Sequence, residues 1–165
     1  MLKAISIVVM IVVICLCIGI SARKENKQNS DINYTTAAVD KMDFSHKVYV
    51  PVHSNTYAQK KYSPQHLKAV LTIRNTSLKD SLYVSKVEYY DKQGNILKQQ
   101  LDSAIVIKPM STFEIIAKQQ DHKGNLDNFI VQWHTEKTII NPVIQAVMYD
   151  ASNRILFSND GVDIR

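Results

Sequence analysis

The sequence predicts an all-β fold: an immunoglobulin-like antiparallel β-sandwich preceded by one N-terminal hydrophobic helix. Three observations carry that reading. Short runs after residue 43 alternate apolar and polar positions with a period of two, the pattern of half-buried strands. Clusters of Asn, Asp, Ser, Gly and Pro separate the runs at short intervals, which is turn chemistry. No helical period is sustained after residue 43, so the crossover helices of a parallel α/β sheet are missing.

Length and charge set the frame. At 165 residues the chain has room for one domain and a tail. A hydrophobic content of 45% supplies a core and excludes global disorder. The net charge is +5, but the bases are scattered, with no run of five Lys/Arg, so nucleic acid is not an expected partner.

Residues 1–22 read as a signal peptide or membrane anchor. Lys3 precedes an uncharged run, Ala4–Ala22, that has no polar face. Its length lies between a signal h-region and a spanning helix. Gly19 and Ser21 form a small-x-small site for cleavage after Ser21. The length also fits an uncleaved anchor, which would make the membrane a partner. A lipoprotein signal fits badly, because Ile14 and Leu16 precede Cys15 and Cys17. Arg23, Lys24 and Lys27 oppose Lys3 and on charge alone favour a cytoplasmic C-terminal side. Export is still the expectation. Cys15 and Cys17 are the only cysteines, and an all-β domain without thiols suits a bacterial periplasm or cell surface.

Residues 23–43 are polar and without period, and read as a flexible linker. The sandwich domain then spans 44–165. Val48, Val50 and Val52 alternate with Tyr49 and Pro51. Proline has no N–H for a ladder, so this run is expected at a sheet edge or as a strand end. A polar excursion to Pro64 follows. Next come Lys68–Arg74, the Val- and Tyr-rich run ending at Asp91, and the run from Ile96, which together read as an antiparallel meander. Ile105 and Ile107 lead to a turn at Lys108–Ser111. Phe113, Ile115 and Ala117 alternate beyond it, and 119–128 is a loop with its tight turn at Gly124-Asn125. Phe129, Val131 and Trp133 form a strand whose Trp133 enters the core beside Leu71 and Ile73, leaving His134 on the opposite face, exposed. Ile144, Ala146 and Met148 precede a last strand through Ile155 and Phe157.

Tyr90–Leu97 and Tyr149–Leu156 repeat one layout. Asp91 and Asp150 open the turns, and Gly94 and Asn153 fall where a left-handed residue closes them. Asn33-Tyr34-Thr35 and Asn75-Thr76-Ser77 match the short glycosylation pattern, which a bacterial composition disfavours.

From His46 onward the chain resembles a bacterial family known as domain of unknown function 3124. The likeness rests on Val48-Tyr49-Val50-Pro51-Val52 with Ser54, on Ile73-Arg74-Asn75-Thr76-Ser77, and on Tyr89-Tyr90-Asp91 with Gly94. Asn128-Phe129-Ile130-Val131 with Trp133, Pro142, and Ala146-Val147-Met148 complete it. His53 stands where an aromatic residue is expected. The resemblance implies an exported or membrane-attached bacterial protein and supplies no catalytic residue.

None of the five histidines has a partner at zinc-binding spacing, and serine-nucleophile and phosphate-loop motifs are absent. The turn aspartates are explained by turns. The expectation is therefore no catalytic residue, no cofactor, no metal, and no enzyme. A non-enzymatic binding or assembly module of the cell envelope, contacting a protein partner through the edge at residues 46–52 and the excursion to Pro64, fits best. The alternative is a small-ligand or metal-binding domain using His53, Tyr57 and His66. The candidate binding surface is Tyr49, His53, Tyr57 and His66.

Overall fold

The computed structural model describes residues 34–36, 39, 42, 44–53, 55–56, 65–117, 126–137, 141–150 and 154–164, all within one compact unit, Asn33–Arg165. The expected N-terminal helix lies outside these residues. Among the described residues no helix is long and apolar enough to cross a membrane.

The described residues are all-β, in two main antiparallel sheets. In chain order the strands are β1 (Phe44–Pro51), β2 (Asn55–Thr56), β3 (Gln65–His66), β4 (Lys68–Arg74), β5 (Leu82–Tyr90) and β6 (Ile96–Gln99). They continue as β7 (Ile105–Ile107), β8 (Thr112–Ala117), β9 (Asn128–Thr135), β10 (Val143–Asp150), β11 (Ile155–Asp160) and β12 (Val162–Ile164). One sheet runs β12-β1-β9-β5-β6, with β7 also on β5. The other runs β11-β10-β4-β8, and β2 and β3 form a separate ribbon. The inward positions form the core: Leu71 and Ile73 from one sheet, Val50, Phe129, Val131 and Trp133 from the other, all buried. Tyr89 packs edge-on against Phe129 at 5.0 Å between centroids.

Several expectations change. The expected meander does not form, because β4 and β5 lie in different sheets and, of its three strands, only β5 and β6 form a hairpin. The connection at Asn75–Ser81 is a corner between sheets, held by the side chains of Asn75 and Ser77. Buried Asn75 donates from Nδ2 to the carbonyls of Asp80, Ile107 and Lys108 at 2.9, 3.0 and 3.1 Å. Its Oδ1 accepts from the Ser77 N–H, and Ser77 Oγ accepts from the Asp80 N–H. The amide nitrogen that the glycosylation pattern would use is therefore committed inside the fold.

The run at residues 46–52 is not a free edge either. Over Lys47–Tyr49, β1 is sandwiched between β9 and β12, and Pro51 is its last residue. Strand β12 has no buried face to give an alternating pattern, because it is three residues long and all three are exposed. It is joined to β11 through Gly161 alone, so one nearly continuous strand passes from the smaller sheet to the larger one.

The expected turn at Asp91–Asn95 is present. The Gly94 N–H donates to the Asp91 carbonyl at 3.1 Å, and Gly94 is left-handed with φ 81°. In the second copy Arg154 is left-handed at φ 55°, while Asn153 and Gly124-Asn125 lie outside the described residues. Within the expected linker, Tyr34 bridges Ile105, the Thr35 N–H donates to the Ala104 carbonyl, and Val39 is buried.

Candidate functional site

The residues singled out from sequence do not assemble into one site. Tyr49 points to the outer face of the larger sheet, opposite the buried Val48 and Val50. Burial, and then the nearby Asp127 carboxylate, hold its phenol above the usual pKa. His53 is exposed just past β1, its ring tilted against Phe157 of β11 at 5.9 Å. His66 is paired through its backbone with Asn55 in the ribbon, and Tyr57 lies outside the described residues.

His134 is a correction. It faces away from Trp133 as alternation requires, yet it is 2% exposed. A β-bulge in the neighbouring strand β5 lies against it. Val84 pairs with Trp133 and Lys86 with Gln132, so Ser85 is an extra residue in β5. The bulge brings Ser85 Oγ within 2.7 Å of His134 Nε2. A hydroxyl against an imidazole is the first half of an activated nucleophile. Here the ring is buried in the centre of a sheet, so the contact satisfies a polar group.

A cleft of about 310 Å³ opens where the crossing strand leaves one sheet for the other. Val48 and Ile144 form apolar walls with Pro142 and Val162; Asn141 and Asp163 bring the polar atoms. Gly161 lines it because the strand approaches β1 too closely for any side chain. A Cβ there would meet Val48 Cγ1 at 2.4 Å and the Ile144 carbonyl oxygen at 3.0 Å. Trp133 also lines the cleft. Register places His46 opposite it, and the two rings stack at 4.5 Å with 10° between their planes. The buried indole N–H has no acceptor among the described residues. Among the described residues of this lining Asp163 is the only ionisable group and no lysine or arginine joins it, so this part of the cleft suits an uncharged or cationic ligand over an anion. Sequence gave no sign of this site: its residues come from four separated stretches, and Trp133 reads simply as core.

Two antiparallel sheets packed on a common core, with a cleft at a strand crossing, define a β-sandwich-like protein. The chain belongs to the family described as protein of unknown function (DUF3124), whose model matches residues 45–164. The curated proteins compared give no match. A solved structure, the crystal structure of Thermotoga maritima 1070, is similar at 13% identity over 73% of this chain and 96% of that one, with a TM-score of 0.41. A likeness that loose leaves the fold to be argued from the sheets themselves.

Proposed function

We propose that the protein is a non-enzymatic binding module of the bacterial cell envelope, exported by the run Ala4–Ala22 and either released or anchored by it. The two sheets serve as an immunoglobulin-like scaffold, and the cleft beside Trp133 is the ligand site. One observation carries this choice: a cleft of about 310 Å³ whose wall joins Trp133 to Val48, Pro142, Ile144 and the exposed Val162. A small ligand or a short segment of an envelope protein with an apolar surface would fit.

Trp133 is the single tryptophan, so its fluorescence reports the cleft directly. Fractionated envelope extract titrated into the full chain is expected to shift the emission saturably. Val162→Lys, at an exposed cleft residue, should abolish the shift while circular dichroism stays that of the parent. No shift with any fraction, or an equal shift in Val162→Lys, overturns the cleft. For export, a reporter active only in the cytoplasm and fused after Arg165 should be silent.

The alternative, a metal or small ligand held by His53, Tyr57 and His66, has one supporting feature. The ribbon pairs His66 with Asn55, two residues from His53. Stoichiometric zinc or copper in the purified chain, lost in His53→Ala, would favour it over the cleft.

A further inference from the structure

The outer faces of the two sheets differ in kind. That of the larger sheet is tied up in polar contacts: Gln132 Nε2 donates to Ser45 Oγ, Tyr83 Oη to Glu136, Tyr90 Oη to Glu88, and Lys86 pairs with Glu88 at 3.3 Å. On the smaller sheet the register lays out three bands across the strands. Ile116, Val70 and Val147 are cross-strand neighbours and form an apolar row, each only half-buried. On one side lies the row Glu114, Thr72, Gln145 and Asp160. On the other lie Lys68, Tyr149 and Leu156, with exposed Arg154 at the strand's start. Adjacent rows sit about 6.6 Å apart along the strands. Leu156 is 74% exposed, the Lys68 ammonium lies 5.9 Å over the Tyr149 ring, and Gln145 Nε2 holds Asp160 Oδ1 at 2.7 Å.

An apolar band with acids on one flank and bases on the other is complementary to itself. We infer that this face binds a second copy of the chain. The two-fold axis runs along the apolar row, at right angles to the strands. Rotation about that axis exchanges the flanks. Lys68 of one copy then faces Thr72 of the other, one strand from its Glu114, and Asp160 faces Leu156, one row from Arg154, while the apolar rows meet at sheet-stacking distance, about 10 Å between backbones. An axis parallel to the strands would set acids against acids. The charge pattern thus selects the partner and the orientation together.

Sedimentation of the detergent-solubilised full chain, with circular dichroism to verify the fold, tests this. The parent is expected to dimerise reversibly. Val147→Lys should raise the dissociation constant about tenfold or more. Lys68→Glu should weaken the dimer, and adding Glu114→Lys to it should restore most of the loss, because the exchanged pair meets again across the axis. That restoration separates an interface from a merely destabilised sheet. A strictly monomeric parent overturns the inference. So does a double variant as weak as the single one, or a Val147→Lys chain that is folded and still dimeric at the parent's constant.

Discussion

Two glycines in this domain show two different reasons for the same residue. At the β5–β6 hairpin, Gly94 is left-handed at φ 81°, and a Cβ there would meet nothing within 4 Å. It is glycine because of the backbone. At the β11–β12 crossing, Gly161 is not left-handed, but Val48, Val50 and the Ile144 carbonyl occupy the space of its side chain. It is glycine because of its neighbours. The first need is written locally, in Asp91 and the turn that follows. The second arises only when β1, β10 and the crossing strand come together. Local needs are therefore cheap to perturb and easy to read, and tertiary needs are neither.

The largest expected effect lies beside the crossing. Trp133→Ala removes a large buried ring and should cost about 3–5 kcal/mol in urea unfolding. A midpoint near the parent's would mean that the crossing region contributes little packing, and the comparison would fail. Next comes Gly161→Ala, which forces a methyl against Val48 Cγ1 and a backbone oxygen and should cost about 1–3 kcal/mol. Pairing it with Val48→Ala relieves the closest contact, so the double variant should lose less than the two single losses added together. Strict additivity would remove the steric explanation.

The hairpin should respond more gently and on different terms. Gly94→Val should cost about 1–2 kcal/mol, and Gly94→Asn should be near neutral, because the difficulty is backbone conformation and Asn tolerates it. Equal losses from Val and Asn would show that contacts matter there after all. The smallest effect is on pH dependence. Hydrogen bonds from Asn95, first its side chain and then its backbone, hold the Asp91 carboxyl below its usual pKa. A carboxyl with a lowered folded pKa adds stability above the ordinary carboxylate value, and loses it as pH falls through the folded value. Asp91→Asn should therefore flatten the acid side of the stability profile slightly, as measured by thermal melts across that range. Superimposable profiles would remove Asp91 from the turn's energetics.

The sequence by itself determined the longer strands, though not β12 or the β2–β3 ribbon, together with the turn at Asp91–Gly94 and the burial of Phe129, Val131 and Trp133. Alternation and turn chemistry act within a few residues, and a period of two says which side chains share a face. It did not determine which strands pair. Asn75 looked like a turn residue in a meander, and only the carbonyls of Ile107 and Lys108, far along the chain, make it a corner between sheets. His134 looked exposed, because alternation fixes a side chain's direction but not what lies there; Ser85 Oγ, in the bulge of β5, lies against its ring. The cleft and the banded outer face were likewise out of reach. Each collects residues from strands distant in sequence, and register, the property that aligns them, is set by long-range pairing that no local pattern records.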